Sequence, residues 1–321
     1  MDLITGQEAV PDHLVGGVAA LGNFDGVHRG HQRVVGEARR LARTLEAPLL
    51  VVTFDPHAAR FFKPDLPPFQ LTSFAERARL WEAFGVDALV AIPFNADLAA
   101  LSPEAFFQSV LCDRLRIRGV VAGYDYTFGK GRSGTTATLQ ALGIARDVAV
   151  SIVDPVIAGA DAAISSTLIR HKLTDGAPFE AAELLGHWWV IEGTVTAGDQ
   201  RGRTIGFPTA NLDLGDYQRP RFGVYATRAV LADGRVVDGI ANIGLRPTFQ
   251  PPRELLELHL FDFAGDLYGQ NIRVELVEFI RPERKFPGLD ALKAQISADC
   301  ATALKILRQP HYARGRLPSA R

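Results

Sequence analysis

The chain has little cysteine, no long apolar run and almost no net charge, and each shortage removes a class of protein. Only Cys112 and Cys300 occur in 321 residues, far apart and without metal-ligand spacing. That excludes a disulfide framework and a cysteine-based structural zinc site, so stability has to come from packing. No stretch approaches the ~20 consecutive apolar residues that span a bilayer, and Met-Asp-Leu-Ile-Thr-Gly at the start is not a basic region followed by an apolar core. A cytoplasmic protein without a membrane partner is expected. A formal charge of −1 supplies no field to attract nucleic acid, so none is expected as a partner. There is no internal repeat, no low-complexity tract and no Gly-x-x-x-x-Gly-Lys-Ser/Thr loop, which excludes a P-loop kinase. Nothing in the sequence fixes an oligomeric state.

What is present is ample core: 47% apolar and 22% charged residues, over a length that usually divides into two domains. From residue 16 to about 175, apolar runs at 17–21, 49–54, 88–92 and 119–123 alternate with helical patterns at 30–45, 74–84 and 103–115. That order predicts a parallel sheet covered by helices, with ligand loops beyond the carboxyl ends of the strands. Past about Leu185 the texture becomes β-branched runs punctuated by Gly and Pro, at 190–196, 223–231, 235–243, 255–263 and 272–279. These predict a small barrel or sandwich. Leu289, Leu292, Ile296, Cys300, Ala303 and Leu307 recur at helical steps and predict a closing amphipathic helix. The domain boundary falls near 176–188, giving domains 1–185 and 186–321.

Two segments carry chemistry. The first, Gly22-Asn23-Phe24-Asp25-Gly26-Val27-His28-Arg29-Gly30-His31, joins a predicted strand to a predicted helix. Its glycines let backbone approach a ligand, amides at a helix start favour anions, and His28 and His31 can both face one phosphate. Donors placed where negative charge grows would suit nucleotidyl transfer. A plain glycine-rich turn with solvated histidines, and a divalent-metal site on Asp25, His28 and His31, are the competing readings.

The second runs from Gly193 to Leu212 and includes Gly202, Gly206, Thr209 and Asn211. Its glycines can wrap a nucleotide phosphate, and Thr209 and Asn211 offer hard oxygens suited to Mg²⁺. Further on, Leu256, Leu258 and Leu260 alternate with Glu257 and His259, which places the two polar side chains on one face of a strand. Glu257 is either a general base or an ordinary solvent-facing glutamate.

The first string resembles the phosphate-binding signature of the HxGH nucleotidyltransferases. Ile164-Ser165-Ser166-Thr167-Leu168-Ile169-Arg170 resembles a second motif of that superfamily, though Ser-Ser-Thr is also a common helix N-cap. Thr53-Phe54-Asp55-Pro56-His57 and Gly123-Tyr124-Asp125-Tyr126-Thr127-Phe128-Gly129 resemble segments of the FAD synthetase branch. The second constellation, with Gly223-Val224-Tyr225-Ala226, Ala241-Asn242-Ile243-Gly244-Leu245-Arg246-Pro247-Thr248-Phe249, Glu257 to Phe263 and Asp266-Leu267-Tyr268-Gly269, resembles riboflavin kinase in family order. The whole is similar to the prokaryotic bifunctional riboflavin kinase/FMN adenylyltransferase family, from about Gly17 to Leu307.

The resemblance implies an N-terminal Rossmann-like nucleotidyltransferase sheet and a C-terminal riboflavin-kinase β-barrel. The substrates it implies are riboflavin, FMN and ATP, the product FAD and the cofactor Mg²⁺. His28 and His31 would stabilise the adenylyl-transfer transition state. Gly22, Asn23, Asp25, Gly30, Ser165, Ser166, Thr167 and Arg170, with Gly202 and Gly206 in the second domain, would bind phosphates. Phe54, His57, Asp125 and Phe128 would face flavin, although aromatics beside glycine also seal core edges. Thr209 and Asn211 would hold magnesium, and Glu257 would be the kinase base. The branch commonly carries arginine where Leu168 and Thr127 stand here. A riboflavin kinase without adenylyl transfer, and a flavin-binding protein with degenerate sites, are the alternatives.

Overall fold

A computed structural model describes residues 1–6, 8–159, 162–196, 206–246 and 252–313. They divide into two compact units, Met1–Leu66 with Phe74–Ser165, and Pro67–Ser73 with the chain from Ser166 onward.

The first unit is built on a six-stranded parallel sheet of β1 (Asp2–Thr5), β2 (Val18–Leu21), β3 (Leu49–Asp55), β4 (Ala88–Pro93), β5 (Gly119–Gly123) and β6 (Ala149–Val153), in the order β1-β4-β3-β2-β5-β6. All four residues of β2 are buried, as are the first five of β3 and of β4. Continuous apolar runs of this kind are what a sheet covered on both faces requires. Val18 pairs with Leu49 on one side and Gly119 on the other, so the strand order reverses at β2. A ligand crevice forms beyond the carboxyl ends of strands at such a reversal, and the loop after β2 is the histidine-bearing segment.

The helices Arg29–Thr44 and Phe74–Ala83 match expectation. The stretch 103–115, read as one helix, is a short turn of α-helix, Pro103–Ala105, that continues as a π-helix over Phe106–Arg114. Edge strands β1 and β6, the helix Thr136–Ala145 and the small hairpin of β7 (Ile157–Ala158) with β8 (Ala162–Ala163) were not anticipated.

The second unit is an antiparallel sheet of β9 (Trp189–Thr194), β10 (Ala210–Asp213), β11 (Gly223–Val230), β12 (Val236–Arg246), β13 (Arg253–Leu260) and β14 (Asn271–Pro282), ordered β10-β13-β12-β11-β14-β9. The two end strands meet through a bridge between Thr196 and Asn211, where the Thr196 amide donates to the Asn211 carbonyl at 2.9 Å, so the sheet is a nearly closed barrel. Leu256, Leu258 and Leu260 point into its core, as their alternation requires.

Ile169, Leu173, Ala181 and Leu185, from the helices Ser166–Thr174 and Pro178–Leu185, enter the same core. Contacts therefore group these helices with the barrel, although the sequence texture changes only later. Pro67–Ser73 also belongs to this unit: Trp189 Nε1 donates to the Leu71 carbonyl at 2.8 Å and Leu71 is fully buried.

The helix Leu289–Leu307 lies on β11, β12 and β14 and buries Ala303 and Leu307, while Leu289, the first residue of the expected stripe, is 52% exposed. Asp299, buried on the same helix, accepts from Arg281 Nη2 at 2.7 Å and anchors the helix to β14. No described helix is long and apolar enough to cross a membrane.

Candidate active sites

In the first unit, the turn after β2 is held in an unusual shape. Phe24 (φ 51°) and Val27 (φ 45°) sit in the left-handed region with Gly26 between them. For a β-branched residue that conformation is costly, on the order of 1–2 kcal/mol, and persists only when the surroundings enforce it. Here the side chains of Phe24 and Val27 are both buried, and the Phe24 ring lies over Gly22, where a Cβ would come within 3.0 Å of it.

The turn delivers His28 to the N-cap of the helix Arg29–Thr44. His28 Nδ1 accepts from the His31 amide at 3.2 Å. A nitrogen that accepts carries no proton, so the imidazole proton of His28 is confined to Nε2. The two histidine rings stack at 3.5 Å, 18° from parallel. A Cβ on residue 30 would press on the His28 ring at 3.0–3.1 Å and meet the Ile164 carbonyl at 3.4 Å, which accounts for Gly30.

His31 is half-buried overall, but its Nδ1 is cut off from water and has no partner among the described residues. Burial, then the neighbouring His28, then Arg77 hold its pKa well below the usual 6.5. Below about pH 6.5 the unfolded chain binds a proton that the folded site refuses, so the folded state loses stability as pH falls. Above that pH the group is neutral in both states and contributes no slope. Between about pH 7.5 and 5.5, urea unfolding of the parent chain is expected to weaken more than that of a His31→Gln variant, by at most about 1.4 kcal/mol per pH unit. Equal slopes for the two proteins would show that His31 is not held neutral by the fold.

The remaining first-motif residues fall in the same turn: the Asn23 carbonyl accepts from Thr53 Oγ1 at 3.0 Å, and Asp25 is buried. Asp25, His28 and His31 do not gather as a three-residue metal site. Ser165 ends the first unit, whereas Ser166, Thr167 and Arg170 open the helix Ser166–Thr174 of the second. There the Arg170 guanidinium donates to the Phe69 carbonyl at 2.7 Å and lies over the Phe69 ring.

Phe54, at the end of β3, meets Phe94 edge-on at 5.7 Å, and Phe94 in turn touches Phe61 and the exposed Phe62. This aromatic group gathers at the carboxyl ends of β3 and β4, and only Phe54 of it was singled out from sequence. His57 Nδ1 caps the short helix Ala58–Phe62 by accepting from the Ala59 amide at 3.1 Å. Phe128 is 6% exposed, packed against Phe106 and Tyr126 within the core, while Asp125 in the same turn is exposed. The hydroxyl of Thr127, where arginine is common in the branch, accepts from Arg132 Nε at 2.8 Å.

In the second unit the pairing of β10, β13 and β12 sets Asn211 opposite Glu257 and Glu257 opposite Asn242. Directly opposed residues share a face, so the three side chains form one row on the outer surface of the barrel. Glu257 accepts from Arg246 Nη2 at 2.8 Å, and the same guanidinium reaches Glu283 at 3.1 Å. Glu283 also accepts from Asn242 Nδ2 at 3.1 Å, and it lies where a Cβ on Gly244 would overlap it. This leaves the carboxylate of Glu257 with a fixed orientation and charge compensation, opposite Asn211 in the strand register, and Thr209 immediately precedes β10. His259 Nδ1 lies 2.9 Å from the Pro208 carbonyl and ties the Thr209 segment to β13. Gly206 turns the chain at φ 93°, a conformation that favours glycine; Gly202 lies outside the described residues.

Known proteins repeat this two-part organisation. Residues 11–168 match the FAD synthetase family and residues 185–307 the riboflavin kinase family. The chain is 40% identical over 288 residues to the bifunctional riboflavin kinase/FMN adenylyltransferase of Escherichia coli (strain K12), covering 90% of this chain and 92% of that one. It is 39% identical over 305 residues to the protein of the same description from Bacillus subtilis (strain 168), covering 92% and 95%. A crystal structure described as a macrolide-efflux protein from Streptococcus pneumoniae superposes with a TM-score of 0.83 at 33% identity, covering 93% of this chain and 97% of that one. With this identity running through both units, the chain belongs to the family of bifunctional riboflavin kinase/FMN adenylyltransferases.

Proposed function

We propose that the chain makes FAD from riboflavin in two ATP-dependent steps, phosphorylation of riboflavin to FMN by residues 186–321 and adenylylation of FMN by residues 1–185. The observation that carries this reading is the presence in one chain of two separate sites of different design. One has paired imidazoles at a helix N-terminus, and the other a strand carboxylate beside hard oxygens.

In the kinase step the riboflavin 5′-hydroxyl attacks the γ-phosphorus of ATP, Glu257 accepts the hydroxyl proton, and ADP leaves. Arg246 holds the Glu257 carboxylate in one orientation. Thr209 and Asn211 fit a hard divalent ion and would hold Mg²⁺ together with nucleotide phosphates; when bound, the ion offsets charge on the transferred group. In the adenylyl step a phosphate oxygen of FMN attacks the α-phosphorus of ATP and pyrophosphate leaves. The Nε2–H of His28 donates to the oxygens on which charge grows, His31 stacks beneath it as a neutral ring, and the Arg29 and Gly30 amides at the helix start face the phosphates. Asn23, Asp25, Gly30, Ser165, Ser166, Thr167 and Arg170 are assigned to phosphate. Phe54 and His57 are assigned to the flavin, with Asp125 and the buried Phe128 shaping that side.

Incubating the protein with riboflavin, ATP and Mg²⁺ and separating the flavins over time should give FMN first and FAD after it. Accumulation of FMN alone would overturn the adenylyl half of the proposal, and absence of both products would overturn the whole.

A further inference from the structure

The helix Phe74–Ala83 places Arg77 and Trp81 four residues apart, on one face, beneath the histidine turn. Trp81 is fully buried and meets the Phe24 ring edge-on at 5.4 Å. Arg77 is 5% exposed, and its Nη1 donates to the Asn23 carbonyl at 3.2 Å, sharing that oxygen with Thr53 Oγ1. The lone-pair capacity of the carbonyl is thereby filled from two elements, which fixes the residue just before the left-handed Phe24.

The guanidinium is poorly compensated for a buried charge. Its Nε has no hydrogen-bond partner among the described residues, Asp25 and Asp55 act on it through their fields, and its remaining compensation is the Phe74 ring, whose centroid lies 5.7 Å from the guanidinium carbon. Burying a cation with this little compensation costs folding free energy, and a methionine would occupy the site without that cost. A charge kept in such a place has a use for an anion, and the turn it braces is the one assigned above to the ATP phosphates. We propose that Arg77 is a positioning residue of the adenylyl-transfer site, bracing the Asn23 carbonyl and holding a fixed positive charge behind the turn that receives the ATP phosphates. The proposal rests on the assignment of adenylyl transfer to His28 and His31. Arg77 faces those residues from the helix Phe74–Ala83, Asp25 belongs to the turn itself, and Asp55 ends β3.

The test compares Arg77→Met and Arg77→Lys in the full-length chain, with His31→Gln in parallel. Arg77→Met is expected to lower kcat for FAD formation about tenfold or more while its unfolding temperature stays the same or rises, because a buried charge has been removed. Riboflavin phosphorylation by the same preparation should stay within twofold, and Arg77→Lys should recover a substantial part of the lost rate. The His31 imidazole, followed by NMR, should titrate at higher pH in Arg77→Met and stay low in Arg77→Lys. FAD formation within twofold of the parent in Arg77→Met overturns the proposal. So does a loss that comes with a lowered unfolding temperature and no rescue by lysine, since that pattern is packing alone. Unchanged FAD formation in His31→Gln would instead remove the site assignment on which the proposal stands.

Discussion

Replacing Glu257 with glutamine is expected to slow riboflavin phosphorylation by about 10²–10⁴-fold, the usual contribution of a positioned general base, and to leave FMN-to-FAD conversion within twofold. Glutamine keeps the volume and one acceptor oxygen, so the strand pairing of Glu257 with Asn211 and Asn242 survives and only proton acceptance is lost. The ion pair with Arg246 makes the prediction sharper. A guanidinium 2.8 Å away holds the carboxylate in one orientation. Glu283 shares that guanidinium at 3.1 Å, so Arg246 is divided between two carboxylates and does not neutralise Glu257 alone. Steady-state rates with riboflavin and with FMN as separate substrates check the prediction. A Glu257→Gln variant that phosphorylates riboflavin within tenfold of the parent would remove Glu257 as the base.

Both folds were legible in the sequence where burial is one-sided or complete. β2, β3 and β4 announced a parallel sheet because their inner stretches are apolar except for Thr53, and β13 announced a barrel wall because Leu256, Leu258 and Leu260 alternate with Glu257 and His259. The elements that escaped have neither pattern. β1 is a four-residue edge strand with alternate residues exposed, β10 is four residues long, and the helix Thr136–Ala145 buries only Leu139 and Gly143. The helices Ser166–Thr174 and Pro178–Leu185 are short, and nothing in a linear pattern says which core their Ile169 and Leu185 enter.

The sites divide in the same way. Residues that act through a local backbone motif, such as His28 as an N-cap or Gly30 beneath its ring, could be read from spacing. Residues recruited by tertiary structure could not. Arg77 looks in sequence like any cation on an amphipathic helix, and its burial against Asn23 exists only after the chain has folded. Phe61, Phe62 and Phe94 join Phe54 only because β3 and β4 are neighbours. Phe128 shows the converse: its motif suggests a ligand face, and its ring is buried in the core.

His28→Asn is expected to reduce FAD formation by about 10²–10³-fold, so that a mixture started from riboflavin stops at FMN. Asparagine is chosen because His28 does two things that alanine would abolish together. Its Nδ1 accepts the His31 amide and caps a 16-residue helix, a contribution typically worth about 1 kcal/mol, and its Nε2–H is the donor assigned to the phosphates. Asparagine is among the best N-caps, and its side-chain oxygen can take the same amide, but it places no donor where Nε2 stood. The turn should therefore persist and the unfolding temperature change little, while the chemistry fails. His28→Ala should lose the same activity and about 1 kcal/mol of stability as well, and the difference between the two variants measures the cap. If His28→Asn retained FAD formation within tenfold, the donor would have to come from the helix amides alone, and His28 would be a capping residue with no share in adenylyl transfer.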